Sequence, residues 1–236
     1  MYTYDSGKLS SVQIIKTFSN RISIQYSPGK HLRIILQLMK GGSLLEALKT
    51  LGKTRLRTPE LLKYTSQMCS ALRYLKHEHV VHRDIAARNI LLDESLSTAK
   101  LADFGLAVTV DEIENKTEYL HDIDVLLKSK IAVKWTAPES LEKGEYTYQS
   151  EVWSLGILLW EMWSYGRVPY RKIFVEKVLA EIKKGTRCEI IENAEKQNKI
   201  PQKIRDLLTA QSVWSYDPLL RPSIEQISHS IQDIVP

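Results

Sequence analysis

The sequence of 236 residues predicts an α+β fold in which short strands come first and helices fill the rest. Three observations carry that expectation. β-Branched runs separated by turn residues occupy the chain up to about Met39. Beyond Gly41-Gly42, apolar residues recur at helical spacing. Residues 149–165 are apolar on nearly every face after the first turn, so they are expected as the buried centre of a helical unit.

Taken in order, Val12-Gln13-Ile14-Ile15 and Leu32-Arg33-Ile34-Ile35-Leu36 are the expected strands, with a turn at Ser27-Pro28-Gly29-Lys30 between them. Ser43-Leu44-Leu45-Glu46 has capping-box spacing for a short helix. Thr58 is the expected N-cap and Pro59 the first residue of a longer helix, whose apolar face is Tyr64, Met68, Leu72 and Leu75. Amphipathic helices are expected near 173–184, 202–214 and 223–234, with Gly166 and Gly185 stopping the preceding helices. The chain divides at the glycine pair into a strand unit, 1–42, and a helical unit, 43–236.

Composition excludes little beyond the unusual classes. The chain is 43% hydrophobic and 26% charged, with a net charge of +5, and its basic residues are mixed with acids along the sequence. A basic enzyme that handles phosphate fits this better than a nucleic-acid binder, and no nucleic acid is expected as partner. Cys69 and Cys188 have no metal-ligand spacing and are expected as reduced, intracellular thiols in a cytoplasmic protein. No secretory signal opens the chain. The most apolar run, Leu155 to Trp163, is broken by Glu161 and too short to span a bilayer, so no membrane insertion is expected. An acidic cluster from Asp111 to Asp124 reads as a solvated loop.

Four strings carry the chemistry. His82-Arg83-Asp84-Ile85-Ala86-Ala87-Arg88-Asn89 follows the long helix on a loop. Asp103-Phe104-Gly105 lies nineteen residues after Asp84. Lys134-Trp135-Thr136-Ala137-Pro138-Glu139 comes next, and Trp214-x-x-Asp217-Pro218-x-x-Arg221-Pro222 stands near the end.

In this order and spacing the strings resemble those of a protein tyrosine kinase, from about Val12 to the C-terminus. Ala86 stands where serine/threonine kinases usually have a lysine, and Arg88 beside Asn89 is the tyrosine-kinase form of the loop. Gly166-Arg167-Val168-Pro169-Tyr170 is most similar to the cytoplasmic Src, C-terminal Src and Abelson kinases. The resemblance implies a protein-kinase-like fold with a partial N-terminal β lobe and a complete helical lobe. It also implies ATP and Mg²⁺ as cofactors and tyrosine-bearing proteins as substrates. Phosphoryl transfer needs positioning and cancellation of negative charge more than covalent help. Asp84 would orient the substrate hydroxyl and accept its proton, and Arg88 would brace Asp84 and the substrate ring. Asn89 and Asp103 would offer oxygen ligands to magnesium. Arg83 would pair with Tyr119 once that residue is phosphorylated. His82 is expected as a packing and hydrogen-bonding residue. Gln37-Leu38-Met39 resembles the hinge that bonds the adenine edge, with Leu36 as gatekeeper and Leu91 as apolar floor. Glu139 and Arg221 would form a buried structural pair.

Three departures qualify the resemblance. With 12–18 and 32–36 as the fourth and fifth strands, no glycine-rich phosphate loop, strand lysine or partner glutamate precedes them, so the chain is expected to be N-terminally truncated. Lys16 lies only about twenty residues before the hinge, too few for a helix and two strands, and is not taken as that lysine. Glu151 replaces the family's aspartate, whose carboxylate accepts from the catalytic-loop backbone; it keeps the charge, and its extra methylene bears on the geometry of that loop. Val213 replaces the usual cysteine. Two readings remain: a tyrosine kinase catalytic domain, or a pseudokinase-like module that docks partners without catalysis. A serine/threonine kinase is disfavoured by Ala86, Arg88 and Trp135.

Overall fold

A computed structural model describes residues 23–25, 33–110, 132–190 and 199–235. Ser23–Gln25 (β1) pairs antiparallel with Arg33–Ile35 (β2), Ser23 opposite Ile35. The strand expected over 32–36 is therefore present in shortened form, and its partner at 23–25 lies in the alternating run Ile22-Ser23-Ile24-Gln25-Tyr26, which the sequence reading passed over. The expected strand at 12–15, the turn at 27–30, Lys16, Tyr119 and the 111–124 acidic cluster lie outside the described residues.

Gly42–Ser43 (β3) leads straight into helix Leu44–Thr50 (α1), where Ser43 Oγ accepts from the Glu46 amide at 3.2 Å, as the capping-box spacing suggested. A one-turn helix, Gly52–Arg55 (α2), precedes Thr58–His77 (α3). The cap of α3 differs from the expectation: Arg57 is the N-cap, and the Glu60 carboxylate accepts from its amide at 2.9 Å. Thr58 has joined the helix instead, and its hydroxyl donates to the Lys199 carbonyl at 3.0 Å. Tyr64, Met68, Leu72 and Leu75 are all buried, which confirms the apolar face.

After α3 the chain makes short strands that fold the loops back on themselves. Val80–Val81 (β4) pairs with Val108–Thr109 (β7), while β3, Ile90–Leu92 (β5) and Ala99–Leu101 (β6) form a three-stranded sheet in that order. Pro138–Lys143 (α4) and Tyr148–Trp163 (α5) follow. Thr147 and Ser150 cap α5 reciprocally, and from Ser150 to Trp163 every residue but Ser154 is buried. This is the central helix the apolar segment predicts. It ends where Tyr165 and Gly166 take positive φ, 56° and 75°.

The later helices are shorter than expected. Val178–Lys183 (α6) covers only the second half of 173–184, because 175–177 is a 3₁₀ turn. Gln202–Leu207 (α7) stops well before Trp214, and the amides of Val213 and Trp214 bond back to the Leu207 and Thr209 carbonyls, both at 3.3 Å. That reversal brings Trp214 under α5. Ile224–Ile231 (α8) is capped by Ser223 and Gln226 and packs its isoleucine face on α3. Cys69 and Cys188 are both free and buried, and burial pushes each thiol up to about 12.

Candidate active site

The buried helix α5 is apolar except where it holds the loops. Glu151 Oε1 accepts from the amides of His82 and Arg83, at 2.9 and 3.0 Å. Ser154 Oγ donates to the Trp135 carbonyl at 2.8 Å. Glu161 Oε2 accepts from the Ala87 amide at 2.9 Å. With about 100° per residue, positions 151, 154 and 161 fall within a sector of roughly 80°. One polar stripe thus pins both ends of the octapeptide and the tryptophan of the third motif. Despite the methylene that distinguishes it from the family's aspartate, Glu151 reaches both amides with a single oxygen. Sequence reasoning passed over Glu161 except as an interruption of an apolar run. A carboxylate with no reason to be buried was the available signal.

Within the loop, Asp84 is gripped from two sides. The Arg88 guanidinium bonds one carboxylate oxygen in a short ion pair. Asn89 Nδ2 donates to the other at 2.6 Å and to the Asp84 carbonyl at 2.8 Å. Arg88 in turn lies over the Trp135 ring, 4.9 Å from its centroid. The octapeptide and the third motif therefore meet through Arg88. Asp103 is brought alongside by β5 and β6: Ile90 pairs with Leu101, and the Ala102 amide donates to the Asn89 carbonyl at 2.8 Å. Asp103 stands exposed with φ 61°, a left-handed conformation that aspartate tolerates better than branched residues, and its Oδ1 accepts from the Gly105 amide at 3.2 Å. Arg83 also has positive φ, 70°, at the point where Glu151 holds its amide.

His82 is fully buried, and its Nε2 lies 3.0 Å from the Ala102 carbonyl while Nδ1 accepts from the Asp84 amide at 3.3 Å. This network assigns the proton to Nε2 of a neutral ring. Burial holds its pKa down at about 4, so the ring is neutral at neutral pH, with both nitrogens engaged by backbone groups. Phe104 packs edge-on against it, centroids 4.7 Å apart. Burial pushes the carboxyls of Glu151 and Glu161 the other way, up to about 7.

Arg83 stacks on Tyr146 at 4.1 Å, and its buried Nε makes no hydrogen bond among the described residues. The residues expected to form a hinge differ in burial. Met39 is buried, but Leu36 is 53% and Leu38 77% exposed. Gln37 Oε1 accepts from Lys100 at 2.7 Å. The segment is joined to the expected floor by register: Ser43 pairs with Leu91, Gly42 with Leu92, and the Gly41 amide donates to the Leu92 carbonyl at 2.9 Å. Gly41 permits this approach, since a Cβ there would stand 2.3 Å from the Asp93 carbonyl oxygen. Glu139 and Arg221 form a buried bidentate pair away from Asp84.

No group of three or more His, Cys, Asp or Glu among the described residues forms a metal cage. Asp103 and the Asn89 amide oxygen would instead supply two hard donors. Such a set suits magnesium, which keeps water and phosphate oxygens in its shell, and does not suit a softer metal. Among the described residues no helix is long and apolar enough to cross a membrane.

The family model for protein tyrosine and serine/threonine kinases matches residues 9–231. The megakaryocyte-associated tyrosine-protein kinase of Rattus norvegicus is 37% identical over 196 residues, which cover 83% of this chain and 38% of that protein. Tyrosine-protein kinase csk-1 of Caenorhabditis elegans is 36% identical, covering 85% and 34%. The transforming protein Fps of Fujinami sarcoma virus is 36% identical, covering 84% and 21%. The chain thus spans well under half the length of these relatives. Its few strands, its mainly helical remainder and the match along nearly its whole length agree, and the chain belongs to the protein tyrosine and serine/threonine kinase family.

Proposed function

We propose that the chain transfers the γ-phosphoryl group of ATP, with Mg²⁺, to tyrosine hydroxyls of protein substrates. The observation that carries this is the clamp on Asp84. Arg88 and Asn89 fix its two carboxylate oxygens, and Trp135 supports Arg88 from behind. Asp84 so held orients a phenolic hydroxyl and takes its proton as the bond to phosphorus forms. Arg88 and Trp135 together make a flat, cationic and aromatic surface beside it, which suits a ring more than a serine side chain. Asp103 and Asn89 are the residues that would hold magnesium, which would supply positive charge against the phosphate. Leu91, Met39 and the hinge backbone would receive the adenine, with Leu36 as gatekeeper. Arg83 would receive a phosphate on Tyr119. In this reading 1–42 is the strand-and-hinge unit and 43–236 the catalytic unit. The relatives' names as tyrosine-protein kinases support it.

The test is phosphotyrosine formation on a tyrosine peptide by the purified chain with ATP and Mg²⁺. Asp84→Asn should lower it by about 100-fold or more. Unchanged activity in that variant, or phosphate appearing on serine, overturns the reading. The exposure of Leu36 and Leu38 favours a second reading, a non-catalytic binding module with an incomplete adenine slot. Failure of Mg²⁺·ATP to raise the melting temperature would select it.

A further inference from the structure

A cavity of about 420 Å³ opens between the C-terminal end of α5, the 167–173 loop and the segment from Thr186 to Glu189. Its rim is cationic. Arg167, Arg171 and Lys172 are exposed and form no ion pair among the described residues. Arg187, half-buried, is held rigidly by carbonyls: Nε donates to Trp214 at 2.8 Å, and Nη1 to Ile182 and Thr186 at 3.0 and 2.8 Å. Its guanidinium lies over Trp153, 5.1 Å from the ring centroid. None of these partners is negatively charged, and among the described residues Glu189 is the one carboxylate on the cavity wall.

Beneath the rim the lining is apolar, with Trp160, Val168 and Ile173. The exception is Tyr170, only 6% exposed, whose hydroxyl lies against the Cys188 thiol and makes no bond to any oxygen or nitrogen among the described residues. Burial holds that hydroxyl far above its ordinary pKa, and the neighbouring Cys188 thiol at about 12, so both stay neutral. The wall therefore offers a buried hydroxyl whose polar neighbour is the weakly accepting Cys188 thiol, beneath a surplus of positive charge. It is also tied to the substrate side of the molecule. Lys134 Nζ donates to the Tyr170 carbonyl at 3.0 Å, one residue from the Trp135 that supports Arg88.

We propose that this cavity, outside the Asp84 site, docks a phosphotyrosine side chain presented by a peptide segment. Phosphotyrosine combines an aromatic ring for the apolar wall with a nearly dianionic head for the four cations and the Tyr170 hydroxyl. Free phosphate would leave the apolar wall unused, and an aspartate or glutamate brings one charge and no ring. The volume suits one large side chain or small ligand. The choice of phosphotyrosine over other aryl anions rests on the proposed tyrosine phosphorylation, which generates that group.

Fluorescence anisotropy with the full chain, a labelled phosphotyrosine peptide and no nucleotide tests this without turnover. The phosphopeptide should bind at least about ten-fold more tightly than its unphosphorylated counterpart and than a phosphoserine analogue. Phenyl phosphate should displace it at lower concentration than inorganic phosphate. The double variant Arg171→Glu, Lys172→Glu should abolish the preference at an unchanged melting temperature, since both side chains are exposed. Arg167→Glu, also on the rim, should weaken it independently. Asp84→Asn should leave the preference intact. Equal affinity for the three peptides, a preference that survives all the charge reversals, displacement by inorganic phosphate as effective as by phenyl phosphate, or loss of binding in Asp84→Asn would each overturn the assignment. Failure to phosphorylate tyrosine would instead count against the proposed reaction and leave the binding result standing.

Discussion

Arg221 and Glu139, 82 residues apart, meet through two parallel hydrogen bonds, Nη1 to Oε1 at 2.6 Å and Nη2 to Oε2 at 2.8 Å. Arg221 also donates to the carbonyls of Ser215 and Gln149, both at 2.9 Å, and lies over the Trp153 ring at 5.2 Å, the same indole that Arg187 stacks on at 5.1 Å. The pair joins the segment after Trp135 to the C-terminal helices. Its members tolerate burial only together. Arg221→Met should cost about 3–5 kcal/mol, because it leaves Glu139 charged and unpaired. Glu139→Gln with Arg221→Met should recover part of that loss. Urea unfolding of the two single variants and the double variant measures the coupling, and additive losses would show that the pair is not the stabilising unit.

Gly156 is the contact between α5 and the turn after α7. A Cβ there would stand 2.6 Å from both Trp214 Nε1 and Val213 Cγ2, two side chains that are themselves fully buried. Gly156→Ala should therefore destabilise by about 1–3 kcal/mol through overpacking. Helix propensity alone predicts the opposite sign, a gain of about 1 kcal/mol. Urea midpoints decide between them.

The buried Glu161 makes stability depend on pH in a direction that can be worked out. Its folded pKa is raised by burial from 4.5 to about 7. Its protonated form is thus favoured on folding: the benefit is complete below about 4.5 and is lost as pH rises through 7. His82 works in the opposite sense, lowered by burial from 6.5 to about 4, with its contribution present above 6.5 and lost as pH falls through 4. Comparison with Glu161→Gln cancels His82, which both proteins share, and keeps an acceptor for the Ala87 amide. From pH 5 to pH 8 the wild type should lose stability relative to that variant, by on the order of 3 kcal/mol at most. A constant difference across this range would mean that Glu161 does not titrate there.

Residue patterns made parts of the site legible and left others hidden, for physical reasons. Asp84, Arg88 and Asn89 are close in sequence, so one loop suffices to bring them together, and their string is long enough to stand out. α5 was equally plain, because a helix apolar on all faces has nowhere to go but the centre. Its polar stripe was not plain: Glu161 looks like a break in an apolar run until Ala87 is found opposite it, 74 residues away. The start of α6 and the end of α7 were overextended because apolar spacing continues beyond them. In α7 the chain reverses so that Trp214 can pack against Gly156, a tertiary demand that outweighs local periodicity. Arg57 capped α3 in place of Thr58 because Glu60 reaches the Arg57 amide while the threonine hydroxyl finds a carbonyl 141 residues on.

Asp103, proposed above as a magnesium ligand, allows that role to be separated from folding. Its one side-chain bond among the described residues is to the Gly105 amide, which an asparagine oxygen can equally accept. Asp103→Asn should therefore keep the turn and remove only a charge. Asn89 is a poorer choice, since its amide also holds Asp84 and any change there alters two things at once. With ATP at about 100 times its dissociation constant, stabilisation of the folded chain should approach about 2.7 kcal/mol. The magnesium-dependent part of that stabilisation should fall away in Asp103→Asn, while the melting temperature without ligand and any shift from ATP alone stay as in the wild type. Calorimetric melts with ATP, with and without Mg²⁺, measure both. A magnesium-dependent shift retained in full by the variant would remove Asp103 from the metal site. A lower melting temperature without ligand would instead show that its charge serves the fold.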